Sequence, residues 1–331
     1  MRLENVLEVR NLTKHFPVEK GVLDRLFTSQ KSYVHAVDDI SFSVKRGDIL
    51  GLVGESGSGK STTARLCLKL IDPTSGSILS EGVDIAKMRG EELRKFRRNM
   101  QLIFQDPTAS LSPRIKIGDA IKHALAFQEI GTASDQTERT RAILERVGLK
   151  PWDNFYDRYP HQLSGGQKQR VVIARALVLN PKFVVADEPI AMVDVSVRAQ
   201  ILELMLALKK EFDLSYLFIT HDLAMANYVC RSIAIMYLGK IVETGSKEDV
   251  FSRPLHPYTL ALLSSIPVPD PKVKLERIIP KGEIPSPINP PNGCRFHPRC
   301  PYAQNICSER EPQLDEIKPQ RYAACFFPRH S

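Results

Sequence analysis

Long hydrophobic runs are missing from this 331-residue sequence. The two longest candidates, VVIARALVLN and SIAIMYLG, are core-sized, well short of the ~18–20 residues that a membrane-crossing helix needs. The opening stretch MRLENVLEVRNLTKHF has no apolar centre, so no signal peptide is expected. Cysteine is scarce: there are six, four of them between Cys294 and Cys325. With no sign of export, the expected compartment is the cytoplasm, where thiols stay reduced and a disulfide framework is not expected. There is no internal repeat and no long heptad run. The charge is +8 with pI near 9.1. That suits an anionic partner, whether nucleotide, nucleic acid or the inner face of a membrane. The basic residues are spread out, and the one dense cluster, RKFRRNM (Arg94–Met100), reads equally well as a solvated helix face.

What is present is alternation. DILGLVG (Asp48–Gly54), KFVVADE (Lys182–Glu188) and LSYLFITHD (Leu214–Asp222) are short apolar runs ending in polar residues or glycine. Such runs read as buried strands of a mainly parallel sheet. SIAIMYLGKIVETG reads as a hairpin turning at Leu238–Gly239–Lys240. SVRAQILELMLALKKEF has helical spacing, with Ser196 as its expected cap. Between Pro107 and Leu163 the strand pattern stops, and SDQTERTRAILERVGL predicts a helix ending near Gly148. A helical subdomain is therefore expected at about 107–164. After about Pro254 the prolines of PVPDPKVK and GEIPSPINPPNGC predict a loop-rich extension, because proline breaks both helix and sheet ladders.

GESGSGKS (Gly54–Ser61) fits G-x-x-x-x-G-K-[ST], after one predicted strand and before the helical STTARLCLKL. Gly54, Gly57 and Gly59 let the backbone curl with its N–H groups inward around phosphate, Ser56 and Ser58 completing the loop. The helix dipole adds about +0.5 charge at the same place. Lys60 is expected at the β- and γ-phosphates of ATP, Ser61 on Mg²⁺ and Thr62 at a phosphate. FVVADE delivers Asp187, expected to hold Mg²⁺ through water, and Glu188, expected to polarise the attacking water. LSGGQKQR (Leu163–Arg170) opens another helix with Ser164, Gly165, Gly166 and Gln167, a second anion cradle. Two cradles beside one P-loop predict that the second serves a nucleotide bound by another chain.

In this order the motifs resemble those of ATP-binding cassette (ABC) ATPases, the nucleotide-binding subunits of membrane transporters. The resemblance implies an α/β P-loop NTPase core with a mainly parallel sheet, an N-terminal antiparallel β subdomain, an inserted helical subdomain and a C-terminal cysteine domain. The expected division is 1–253 for the ATPase domain and 254–331 for the extension. The resemblance also implies roles for Gln105 in LIFQDP at Mg²⁺ and the γ-phosphate, His221 in FITHD at the γ-phosphate, and Asp194 across a dimer interface. Phe16 is the expected adenine platform and Tyr33 the runner-up. One departure stands out: where the family usually has Asp-Glu-Pro-Thr-Ser-Ala-Leu-Asp, this chain reads DEPIAMVD, with Ala191 in place of the serine. That departure motivates a non-identical partner ATPase, with neutral drift in a tolerant loop as the alternative reading.

The tail, HPYTLALLSSIP followed by GCRFHPRCPYA and a late cysteine, resembles the C-terminal extension of oligopeptide and dipeptide importer ATPases. Relatives with this tail serve nickel, glutathione and oligosaccharide importers. The implied partners are two transmembrane permease subunits and, indirectly, an extracytoplasmic solute-binding protein, with no nucleic acid. The implied place is the cytoplasmic face of the membrane. A soluble ABC ATPase acting on nucleic acid or ribosomes is the alternative. Cys294, Cys300, Cys307 and Cys325 are spaced C-x5-C-x6-C-x17-C. Four thiolates suit zinc or a 4Fe–4S cluster. Zinc sites usually show tighter pairs, and some members of the subfamily carry the cluster, so a cluster is the first expectation and zinc the second. Four reduced cysteines packed as small hydrophobes remain the plain reading. Cys67 and Cys230 read as core.

Overall fold

The computed structural model describes residues 4–18, 32–266 and 278–329. The expected segment PVPDPKVK lies outside them. The described residues form twelve strands: β1 (Asn5–Pro17), β2 (Tyr33–Lys45), β3 (Ile49–Val53), β4 (Ser75–Ser80), β5 (Val83–Asp84), β6 (Met100–Ile103), β7 (Phe183–Asp187), β8 (Ser215–Thr220), β9 (Ser232–Tyr237), β10 (Lys240–Ser246), β11 (Asp315–Lys318) and β12 (Arg321–Ala323). The chain divides into two compact units.

The first unit comprises Met1–Leu7, Val44–Ile49 and Ser80–Ile219. In it β7 lies between β6 and β8 and is parallel to both, with Met100 opposite Phe183 and Asp187 opposite Ile219. Phe183, Val184, Val185 and Ala186 are fully buried, as an unbroken apolar run on a two-sided strand requires. Among the described residues no strand falls between Ile103 and Phe183. That stretch is helical, with helices Ile117–Phe127, Ala133–Arg146 and Gly165–Leu177 packed on one another. Thr132 and Asp135 form a capping box at the second of these, and Gly148 follows its end at φ +78°. The long helix runs Val195–Phe212 and its N-cap is Asp194. Ser196, the expected cap, is instead inside the first turn, because Val195 already has helical backbone.

The second unit comprises Glu8–Ser43, Leu50–Leu79 and Thr220–Ser331. Here β3 pairs in parallel with β9, and β9 turns back into β10 through Leu238 and Gly239, at φ 42° and 83°. Two left-handed residues form the turn that matches strand twist in a tight hairpin. The tail is more than loop: β12 pairs antiparallel with β10, and β11 pairs with β12. Neither strand contains proline, so a rule drawn from the composition of the whole tail did not reach them. Arg321 on β12 and Glu243 on β10, both buried, face each other at 3.8 Å. Strands β2, β1 and β4 are neighbours in a second sheet.

Candidate functional site

In the second unit the Gly54–Ser61 loop joins β3 to the helix Lys60–Cys67. Its glycines answer two different demands. A Cβ on Gly54 would strike the carbonyl oxygen of Met236, and one on Gly59 that of Ala36. Gly57, at φ +77°, has nothing within 4 Å of where a Cβ would stand. Gly54 and Gly59 serve close packing, Gly59 also at φ +106°, and Gly57 keeps a left-handed bend with no described residue beside it. Lys60 is buried, and its Nζ donates to Gly54 O at 2.8 Å, Glu55 O at 2.7 Å and Ser58 Oγ at 3.3 Å. The ammonium is thus folded into its own loop, centred where an anion would sit. Ser56 and Gly57 are exposed, while Ser61 and Thr62 are half-buried.

In the first unit, β7 ends at half-buried Asp187, and Glu188 follows at φ +45°. A glutamate in the left-handed region is strained by about 1–3 kcal/mol and persists only when its surroundings hold it. They do: its N–H donates to Ile219 O at 3.0 Å, and its Oε2 accepts from Gln105 Nε2 at 2.8 Å. The structure therefore brings Gln105 and Glu188, 83 residues apart, into direct contact. Ser164 caps the helix Gly165–Leu177 in a reciprocal box: its Oγ accepts from Gln167 N–H at 3.3 Å, and its own N–H donates to Gln167 Oε1 at 3.0 Å. A Cβ on Gly166 would meet Val197 on the neighbouring helix. Among the described residues a Cβ on Gly165 would meet only Met192 O, at an ordinary 3.8 Å. Asp194 is exposed, beside Met192 at 60 % and Val195 at 77 % exposure. In the second unit His221, also exposed, follows β8.

Phe16 on β1 and Tyr33 on β2 are both open to solvent, and Lys14 Nζ stands 4.9 Å from the Phe16 ring centre. Sequence reasoning missed the neighbouring knot of His15, His35 and Asp38. His15 Nε2 lies 3.3 Å from Asp38 Oδ1 and His35 Nδ1 3.1 Å from Asp38 Oδ2. Arg295 also pairs with Asp38. Burial opposes ionisation of Asp38, but the His35 hydrogen bond and the charges of Arg295 and Lys240 hold its carboxyl down at about 2. No local motif announces this group, since its members come from residues 15 to 295.

The four tail cysteines line one pocket, with His256, Phe296 and Phe327. All are free thiols. Burial pushes the Cys294 thiol up to about 12 and Cys325 to about 11, and also raises Cys300. Backbone N–H groups two residues on, at Phe296, Tyr302 and Phe327, act in the opposite sense on these three sulfurs. Among the described residues no three of the thiol sulfurs lie within 4.8 Å of one another. Tetrahedral zinc, with Zn–S of about 2.3 Å, would draw its sulfurs to within roughly 3.8 Å. Cys67 and Cys230 are buried elsewhere, as expected of core residues.

Comparison with known proteins agrees with this geometry. Residues 37–191 match the ABC transporter family, and residues 242–307 match the oligopeptide/dipeptide transporter C-terminal region. The chain is 48 % identical to a putative peptide import ATP-binding protein of Brucella ovis, over 97 % of each chain. It is also 48 % identical to the oligopeptide transport ATP-binding protein AppF of Bacillus subtilis, again over 97 % of each. Among solved structures, the ATP-binding cassette MJ0796, a dimer bound to ADP and Pi, aligns with TM-score 0.62 and 27 % identity, over 73 % of this chain and 98 % of that one. CbiO1 of Clostridium perfringens, part of the transporter complex cbiONQ, aligns with TM-score 0.63 and 27 % identity, over 76 % and 92 %.

Proposed function

The chain belongs to the ABC transporter ATPases, and from that premise we propose that it hydrolyses ATP to power uptake of oligopeptides or related solutes through a membrane permease. The relatives that match it end to end are named for peptide import, and its C-terminal region is of the oligopeptide/dipeptide type. Among the described residues no helix is long and apolar enough to cross a membrane. The translocation path then belongs to partner chains, two permease subunits at whose cytoplasmic face this protein would dock. The division at about residue 253 separates the engine from its tail in this reading.

The single observation that carries the mechanism is the Gln105–Glu188 contact at the end of a buried parallel strand. It places a strained carboxylate and an amide together where a water can be oriented. In hydrolysis the γ-phosphoryl group spreads charge over its oxygens, so positioning and electrostatics carry the rate. Lys60 and the Gly54–Ser61 N–H groups bind the phosphates. Glu188 accepts hydrogen bonding from the attacking water, and His221 supports the γ-phosphate. Phe16 gives the base a π-face. Hard-oxygen donors Ser61, Gln105 and Asp187 suit Mg²⁺, which supplies counter-charge when bound. Ser164, Gly165, Gly166, Gln167 and Asp194 act on a nucleotide held by a second ATPase subunit. Apolar Met192 and Val195, exposed around Asp194, support a partner-facing role for that loop, and Ala191 supports a non-identical partner. The C-x5-C-x6-C-x17-C spacing is wider than zinc sites usually show, and on that ground Cys294, Cys300, Cys307 and Cys325 would hold 4Fe–4S as a structural staple, with zinc as the alternative.

Glu188→Gln separates binding from chemistry. The variant should bind ATP at wild-type affinity while the assembled transporter loses turnover by about 10²-fold or more. Near-normal steady-state hydrolysis would remove Glu188 from its role. Iron and sulfide analysis of anaerobically purified protein decides between the cluster and stoichiometric zinc.

A further inference from the structure

The motif His256-Pro257-Tyr258 and the arginines between the first two tail cysteines have no part in the mechanism above. Their geometry gives them one. Glu55, second residue of the Gly54–Ser61 loop, is held by three handles. Its N–H donates to the Tyr258 hydroxyl at 2.9 Å. Its carboxylate accepts from Arg299 Nη1 at 2.9 Å, with Nη2 at 3.5 Å. Its carbonyl accepts from Ser58 N–H at 3.2 Å and Lys60 Nζ at 2.7 Å. The first two handles come from the tail and the third from within the loop.

Both tail groups are themselves fixed. Tyr258 N–H donates to His256 Nδ1 at 3.0 Å, and the N–H groups of Leu255 and His256 each donate to the buried Glu243 carboxylate at 2.8 Å. The Tyr258 ring packs against Tyr237 and Phe296, with centroids at 4.6 and 5.4 Å. Arg299 is buried, its guanidinium 5.9 Å from the Tyr237 ring centre and 6.0 Å from that of Phe296. It sits in the turn His297–Arg299, between Cys294 and Cys300. A second tail arginine reaches the same neighbourhood: Arg295 donates to Leu238 O, and the next residue, Gly239, donates its N–H to Ser58 O at 2.9 Å.

We infer that Arg299 and Tyr258 are positioning residues of the nucleotide site, with Arg299 neutralising and orienting the one carboxylate in the phosphate-binding loop. A glutamate at the rim of a triphosphate cradle repels the ligand unless its charge is met. Arg299 meets it with a paired guanidinium on a rigid aromatic bed, and Tyr258 ties down the adjoining backbone. The tail is therefore part of the ATP site's electrostatics as well as an extension of its sheet. The inference rests on the assignment of Gly54–Ser61 as the nucleotide cradle.

The test uses the full-length chain, with equilibrium binding of a fluorescent ATP analogue and steady-state hydrolysis in the assembled transporter. Arg299→Ala should raise KM for ATP roughly tenfold, within the range typical of a coupling that acts through another group, with kcat within twofold of wild type. Adding Glu55→Gln should restore most of the lost affinity. A purely structural role predicts the opposite, that the double variant is no better than the single. Arg299→Lys should recover part of the affinity, and Tyr258→Phe should raise KM about threefold. If Arg299→Ala does not accumulate as folded protein, Arg299→Gln keeps packing without charge and carries the same comparison. An unchanged KM in the arginine variants, or no recovery on adding Glu55→Gln, overturns the inference. Lys60→Ala is the control. If it binds nucleotide normally, the cradle assignment itself falls. If it fails to bind while Arg299→Ala binds normally, the cradle stands and this inference falls.

Discussion

The two glycine-rich turns of this protein, Gly54–Ser61 and Ser164–Gln167, look alike in sequence and differ in how they are supported. The first is walled in. Gly54 and Gly59 abut the backbone of Met236 and Ala36, Lys60 is buried, and Glu55 is gripped by residues some 200 positions away. The second supports itself with a local capping box, and Ser164 is exposed. Gly166 has a packing reason to be glycine, namely Val197, but Gly165 has room for a methyl group within its own chain. A glycine that its own fold does not need is the one most open to a demand from outside. The contrast supports a complete cradle and a lent one.

Substitutions can break that comparison. Lys60→Ala should have the largest effect, removing about 2–5 kcal/mol of nucleotide affinity from the isolated chain and all measurable hydrolysis. Gly165→Ala should leave the isolated chain folded and its ATP binding intact, while hydrolysis in the assembled transporter falls by about 10²-fold, the scale for losing one oriented donor. Equal loss of binding in both variants would erase the distinction between the two turns.

Acid should separate the turns as well. Burial holds the His256 imidazole neutral, with its pKa lowered to about 3. The unfolded chain protonates this group near 6.5 and the folded one does not, so the unfolded state gains protons first as pH falls. His256 thus favours the fold fully above pH 6.5, and its contribution is lost between about 6.5 and 3, at up to about 1.4 kcal/mol per pH unit. Because His256 Nδ1 accepts the Tyr258 N–H, hydrogen exchange should loosen around Tyr258 and Glu55 below pH 6 before it loosens around Ser164. The smallest effect is expected from Ala191→Ser. Restoring one hydroxyl should change the chain's own ATP affinity by less than twofold and raise turnover of the assembly by up to about fivefold. No change in turnover, together with a fully active homodimer, would count against a non-identical partner.

Much of the fold was legible because its signals are local. An unbroken apolar tetrad such as FVVA can hardly avoid a two-sided strand, and the helical spacing of SDQTERTRAILERVGL is carried by neighbouring residues. Ser196 misled because Ser, Asp and Asn cap almost equally well, and only backbone angles decide among neighbours. The tail strands escaped because proline counts average over a segment, whereas pairing is settled by three or four residues at a time. The link between Arg299 and Glu55 spans 244 positions, and no pattern in either neighbourhood points to the other.

The order of motifs, the phosphate-binding loop and the cysteine-bearing tail were determined by the sequence alone, because each depends on residues a few positions apart whose chemistry needs that spacing. Which carboxylate meets which arginine, and which glycine its own fold leaves room around, was decided only by tertiary structure. Those are matters of distance between segments, and distance across a fold is set by packing rather than by order along the chain.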